Sequence, residues 1–391
     1  MFNISKVKKN SGGINFIAID LGTESVKIGV FLKETEGKIQ LIGHSIVDFK
    51  NINPSELFEK DKEVLLNKLK VGVDQAKSFS TYDPKKVIIG IPSANISSQT
   101  VTVRIKRTTP DKKITQKEVE QITQKIIANS KIEADKYFSQ KHENFDSEID
   151  LLNSDITFVK IDGYITKELE GFRGTTLEIS FFTTFATTKY LNKLVNLAKD
   201  LKLDLSTITT NIYALNKALK SREDSNYILL DLGGKNTDIA ISFGGEIQKI
   251  TNFKLGGQSF TNYISNLSNI DAVEARKYLL SETEKNEKLE TYNQEIKSVW
   301  FDNLKSALES VEGVKVYPEE ILLLGGGSEM VDIDKMFNAI RNLKFKDEPK
   351  IRILVKDNFD FYEDHTEQAN DVRMLNVLTL GKFALKILEN E

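Results

Sequence analysis

Between residues 14 and 49 the apolar positions come in three short runs, INFIAIDLG, SVKIGVFL and KIQLIGHSIVDF, parted by polar turns. Runs of this length with tight polar breaks predict a three-stranded β-meander. ELFEKDKEVLLNKLKVGVDQAKSF follows, with Leu65, Leu66, Leu69 and Val73 at helical spacing. KKVIIGIPS reads as a buried strand, and SSQTVTVRIKR alternates as a half-exposed one. From Thr115 the period is helical again, and Thr115 with Glu118 has the spacing of a capping box. Residues 131–150 are polar and charged, which predicts a variable loop or a frayed helix end. DITFVKIDGYITKELEGFRGTTLEISFFTTF predicts two strands around a glycine-containing loop. TKYLNKLVNLAKDLKL and YALNKALKSRE then read as helices.

At Tyr227 the opening pattern returns. NYILLDLGGKNTDIAISFGGEIQKITNF repeats the order of FIAIDLGTESVKIGVFLKETEGKIQLIG: apolar strand, Asp-Leu-Gly, polar turn, β-hairpin. The repeat reads as a diverged duplication whose halves each supply one arm of a common site, at a period far too long for a solenoid. Residues 281–294 are charged and read as a loop or exposed helix end. VWFDNLKSALESVEG is helical and holds the one tryptophan, Trp300. EILLLGGGSEM runs a strand into a triple-glycine turn, and LNVLTLGKFALKIL is an apolar closing helix.

Composition narrows the choices. A length of 391 residues fits two domains, or more subdomains sharing one ligand. With 40% hydrophobic and 28% charged residues the chain reads as soluble and globular. A net charge of -3 argues against nucleic acid as a partner. The absence of cysteine removes disulfides, thiolate zinc sites and cysteine nucleophiles, and it fits a reducing cytoplasm. His44, His142 and His365 are too scattered to suggest a metal site. No apolar run approaches the roughly 18 residues of a membrane span. MFNISKVKKNSGG is short and basic without an apolar core, so it reads as a tail, alternatively as a weak contact for acidic lipid or a partner.

The chemistry lies in the turns. A hairpin turn that exposes backbone N–H groups beside a strand-end carboxylate suits the phosphates of a nucleotide, because glycine lets the backbone approach and the amides bind phosphate oxygens. The carboxylate serves Mg²⁺, usually through water. Asp20, Gly22, Thr23, Glu24 and Ser25 form one such turn; Asp231, Gly233, Gly234, Lys235, Asn236 and Thr237 form a second. Either alone is weak evidence, but two in matching strand contexts are much stronger. Gly325, Gly326 and Gly327 could admit a base or ribose against bare backbone. Asp238 either joins the second turn or merely caps its hairpin.

In this order the three turns resemble the phosphate-1, phosphate-2 and adenosine motifs of the actin and sugar-kinase ATPase superfamily. The resemblance implies an α/β, actin-like (ribonuclease H-like) duplicated fold around a nucleotide cleft, binding ATP or ADP with Mg²⁺ at Asp20 and Asp231. It places Lys27 on the first phosphate arm. The FtsA and PilM branch is the nearest match. FKLGGQSFTNYIS with DAVEARKYL resembles that branch's GG-x-x-x-T stretch, through Gly256 and Gly257, and its E-x-x-K helix, through Glu274 and Lys277. The latter pair lies three apart on one helix face, or is simply a solvated pair. VIIGIPSANISSQTVTVRIKR and FVKIDGYITKELEGFRGTTLEISFF resemble the small domain inserted in that branch. The expected organisation is a basic tail at 1–13, a first subdomain at 14–84, the inserted domain at 85–184, returning helices at 185–224, and a second lobe at 225–391.

The glycine-containing crossover with Gly163-Tyr164 and Gly171 to Gly174 resembles that of FtsA more than the shorter one of PilM, so the leading expectation is an FtsA-like division adaptor that forms protofilaments with itself and links the tubulin-like division protein FtsZ to the membrane. A PilM-like chain would be a cytoplasmic scaffold of type IV pilus assembly that grips a short peptide of an inner-membrane protein. FtsA proteins typically end in a linker and amphipathic helix, whereas this sequence stops soon after LNVLTLGKFALKIL, a point in favour of PilM. Lys235-Asn236 replaces the more usual Gly-Thr, so at most slow ATP hydrolysis is expected, and no catalytic residue is assigned. A small-molecule kinase would need a substrate lobe and a base, for which no distinctive candidate stands out. The location implied is cytoplasmic, with peripheral contact at the inner face of the membrane.

Overall fold

The computed structural model describes residues 13–49, 54, 61–141, 148–166, 168–219, 225–281, 286–311, 313–330, 332–333, 343–366 and 370–389. The basic N-terminal segment and the first residues of the helix expected from Glu56 lie outside them. The chain divides into two compact units. The first comprises Met1–Ala94, Lys193–Gly245 and Thr251–Glu391, and the second Asn95–Asn192 with Glu246–Ile250.

Within the first unit the opening meander forms as read: β1 (Ile14–Leu21), β2 (Ser25–Lys33) and β3 (Ile39–Asp48). Parallel β4 (Lys86–Ile91) and β9 (Asp204–Thr210) extend the sheet beyond β1, and short β15 (Tyr362–Asp364) borders β3. The strand order is β15-β3-β2-β1-β4-β9. Helices α1 (Lys62–Lys77), α4 (Asn211–Leu219) and α8 (Leu375–Leu388) bury their apolar faces, with Val377, Leu378 and Leu380 of α8 fully enclosed.

The second half repeats the plan. β10 (Tyr227–Leu232), β11 (Thr237–Phe243) and β12 (Glu246–Phe253) follow one another, while β13 (Glu320–Leu324) lies parallel beside β10, as β4 does beside β1. β14 (Lys350–Ile353) completes the order β12-β11-β10-β13-β14. Its core gathers β10, β11 and β13 residues with α5 (Gly257–Ser268), α6 (Ala272–Leu280) and α7 (Glu287–Glu309). Trp300 of α7 is wholly buried and donates its Nε1–H to Thr237 Oγ1 at 2.9 Å, so the indole leaves no orphan donor. α7 starts well before Trp300, because Asn286 caps it by accepting from the Lys288 and Leu289 amides.

The second unit is a four-stranded antiparallel sheet, β5-β8-β6-β7, from β5 (Ile96–Lys106), β6 (Ile149–Ile161), β7 (Tyr164–Thr166) and β8 (Thr176–Thr187). Helix α2 (Gln116–Lys141) packs on it and runs through 131–141, read above as a loop or frayed end. Ala134 and Phe138, four apart, are buried there with Ile149 and Phe185; one buried apolar residue per turn holds a surface that is otherwise mostly charged. Half of the expected capping box forms. Thr115 Oγ1 accepts from the Glu118 amide at 3.2 Å, but the Glu118 carboxylate turns to the buried Arg107 guanidinium in a two-pronged pair at 2.7 and 2.9 Å. Such a bidentate charge-assisted pair outcompetes a single amide contact. Among the described residues no helix is long and apolar enough to cross a membrane.

Candidate functional site

Both glycine turns sit where an antiparallel hairpin splits at the end of a buried strand. The β1–β2 register sets Asp20 opposite Lys27, and the β10–β11 register sets Asp231 opposite Asp238. Lys27 Nζ lies 3.1 Å from Asp20 Oδ2, and Asn211 Nδ2 donates to Asp20 Oδ1 at 2.6 Å. Asn376 Nδ2 donates to Asp231 Oδ2 at 2.8 Å, and the Ser93 amide donates to Asp238 Oδ2 at 2.8 Å. Each aspartate is thus fixed by one side-chain amide from a helix start, at α4 for the first and α8 for the second.

The two turns meet. The Lys235 amide donates to Thr23 Oγ1 at 2.9 Å, and Glu24 lies against Gly234 closely enough that a Cβ there would come within 2.6 Å of its own Cβ. Beneath the second turn, the start of α5 donates the Gly257 and Gln258 amides to the carbonyls of Gly233 and Gly234 at 2.9 and 2.8 Å. Gly256 permits this approach, since a Cβ would stand 2.5 Å from the Gly233 carbonyl oxygen. Gly325 adopts φ +90° where the triple-glycine turn passes Asp231 and Leu232, a conformation that favours glycine.

One cavity collects most of the sequence candidates. Asp20, Gly22, Thr23, Glu24, Ser25 and Lys27 line it from the first hairpin. Asp231, Gly233, Gly234 and Asn236 line it from the second, and Gly257 with Gly325, Gly326 and Gly327 from the remaining turns. Lys235, Thr237 and Gly256 stand just behind this lining, holding the second turn in place. Glu274 and Lys277 are exposed on α6 outside it; Arg276, Leu279 and Leu280 of that helix face the cavity instead. Asp238, left open above between the second turn and a hairpin cap, lines the cavity, and Asn211, Arg373 and Asn376 line it as well without a place among the sequence candidates. For Asn376 a signal existed, a polar residue at the head of an otherwise apolar helix. Asn211 and Arg373 offered none, because tertiary packing alone brings them in.

Electrostatics differ around the cavity. Burial pushes the Asp231 carboxyl above its ordinary value, with Asn376 pulling the other way and Asp20 adding repulsion. Asp238 is pushed up to about 7, first by burial, then by Asp231, against the opposing Ser93 amide. At the rim Arg373 binds Asp371 at 2.6 Å and reaches Asp48 at 3.4 Å. Burial pushes Asp371 up, yet the Arg373 bonds hold it below its ordinary value.

The donor set fits a hard cation held through water. Asp238 Oδ1, Asn211 Oδ1 and Asn376 Oδ1 are buried oxygens on residues lining the cavity, and none receives a hydrogen bond from the protein, while Asp20 Oδ2 faces Lys27 Nζ. Buried acceptors without protein donors suit hydrated Mg²⁺, which keeps several of its waters and takes few carboxylates.

No protein-family profile matches the chain. Among characterised proteins it is similar to the cell division protein FtsA of Bacillus subtilis, 22% identical over 256 residues. That match covers 64% of this chain and 54% of FtsA, so the chain spans about half the length of that relative. Among solved structures it is similar to a chain of the PilM–PilN type IV pilus biogenesis complex, with TM-score 0.61, 14% identity, and 95% and 99% of the two chains covered. It is also similar to glycerol dehydratase reactivase, with TM-score 0.50, 10% identity, and 95% and 100% covered. The fold is the actin-like ATPase fold with its duplicated sheets, and the likeness runs to the FtsA and PilM branch.

Proposed function

We propose that the chain is an actin-like ATP-binding adaptor of the FtsA kind. It polymerises with itself and links the tubulin-like division protein FtsZ to the inner face of the membrane. The observation that carries nucleotide binding is the convergence of both aspartate turns and the triple-glycine turn on one cavity. The choice of FtsA draws on the sequence match over 256 residues. In this reading the amides of Gly22–Ser25 and those of Gly234 and Asn236 hold the phosphates, the Gly233 and Lys235 amides being spent on Asn236 and Thr23, and Gly325–Gly327 lie against the adenosine. Asp20 and Asp231 hold Mg²⁺ through its waters; the ion, when bound, neutralises phosphate charge. Lys27 lies on the first phosphate arm, and Asn211 and Asn376 orient the two carboxylates. Asp238 Oδ1, with no protein donor, accepts a hydrogen bond from water beside the phosphates, and hydrolysis at that site is slow. Nucleotide then acts as a pin that stabilises the bound form by mass action.

A PilM-like scaffold that grips a short cytoplasmic peptide of an inner-membrane pilus protein is the second reading, motivated by the TM-score of 0.61 to the PilM–PilN complex. The two separate in one experiment, sedimentation with anionic vesicles in Mg·ATP, with FtsZ or a pilus peptide added. Nucleotide-dependent pelleting that brings down FtsZ supports the adaptor. Capture of the peptide without polymer would replace it with the scaffold.

A further inference from the structure

Glu24 is an odd residue for its place. It stands within a turn whose amides and hydroxyls are suited to phosphate, yet a carboxylate repels phosphate and offers it no donor. Its side chain fills the seam where the two turns meet: a Cβ on Gly234 would come 3.0 Å from Glu24 Oε2. Arg276 Nη1 donates to the other oxygen, Oε1, at 2.9 Å. Both side chains are about a third exposed, at 34% and 39%, so the pair is partly screened by solvent. The Lys235–Thr23 bond closes the same seam. Glu24 and Arg276 both line the cavity beside this seam.

In the nucleotide reading, Gly326, Gly327 and Met330, which line the cavity, take the base, and the seam where the two phosphate turns meet takes the outermost phosphate. We infer that Glu24, with Arg276 as its counter-ion, makes the cleft prefer a nucleoside diphosphate to a triphosphate. A third phosphate must share the seam with the Glu24 carboxylate. If it draws Arg276 to itself, the carboxylate is left without its cation. At partly screened separations of about 4 Å this opposition amounts to roughly tenfold in affinity. The inference rests on the nucleotide reading of the cavity.

Isothermal titration calorimetry of the full chain with Mg·ADP and with Mg·ATP tests it, on wild type, Glu24→Gln and Arg276→Gln. Wild type is expected to bind ADP about tenfold more tightly than ATP. Glu24→Gln should bring the two within about twofold, and Arg276→Gln should widen the gap by weakening ATP further. Wild type binding ATP as tightly as ADP, or Glu24→Gln leaving the ratio unchanged while both nucleotides bind, overturns the inference alone. If neither nucleotide binds wild type or either folded variant, the nucleotide reading fails and takes this inference with it.

Discussion

The two hairpins share a backbone plan but differ in charge. Each ends a buried strand in Asp-Leu-Gly, and in each the residue seven positions later pairs across the hairpin with the aspartate. In the first hairpin that partner is Lys27, a cation 3.1 Å from Asp20; in the second it is Asp238, a second carboxyl beside Asp231. The first arm carries its own counter-charge. The second carries two buried acids, both pushed above their ordinary values, and lacks an equivalent cation at that register. The two arms share one backbone plan, but the residue at one register position gives the first arm its own cation and the second a further buried acid.

The sharpest way to break this contrast is Lys27→Met. It strands Asp20, which is fully buried, with only the Asn211 amide for support. Urea unfolding should show a loss of about 3–4 kcal/mol, as expected for removing one partner of a buried pair. Gly256→Ala attacks the second arm through its support, driving a Cβ into the Gly233 carbonyl. A loss of about 2 kcal/mol is expected, read from the denaturant midpoint.

Asp238→Asn tests the surplus of acid through pH. The folded-state value of Asp238, about 7, lies above its ordinary 3.8. Its contribution to stability is therefore fully present below that ordinary value and is lost as pH rises through about 7. From pH 5 to pH 8 the variant should gain about 2 kcal/mol on wild type in paired urea titrations; parallel curves would deny the raised carboxyl. The smallest effect is expected from Asp231→Asn without ligand at pH 7. Removing an acid that burial disfavours should shift the unfolding free energy by no more than about 1 kcal/mol. A loss as large as that of Lys27→Met would erase the asymmetry.

Much of this was legible in the sequence wherever the signal was local. The strands that end in Asp20 and Asp231, the glycine turns after them and the triple glycine at 325–327 are short-range patterns, and all three turns meet in one cavity. What escaped depends on distant packing. Asn211 and Asn376 reach the aspartates from helices about 190 and 145 positions away. The E-x-x-K spacing drew attention to Glu274 and Lys277, but Ala275, Tyr278 and Leu279 set the buried face of α6, and that rotation turns Arg276 to the cavity. Likewise, the helix at 131–141 has a charged surface that conceals its two buried contacts, Ala134 and Phe138.

The most direct test of the central claim is the melting temperature with and without saturating Mg·ATP, for wild type and Asp231→Asn. At a hundredfold excess over Kd the ligand should stabilise wild type by about 2.7 kcal/mol, a rise of several degrees. The variant should melt near the unliganded wild type and show no rise. A wild type unmoved by Mg·ATP, or a variant that keeps the full rise, would contradict the account.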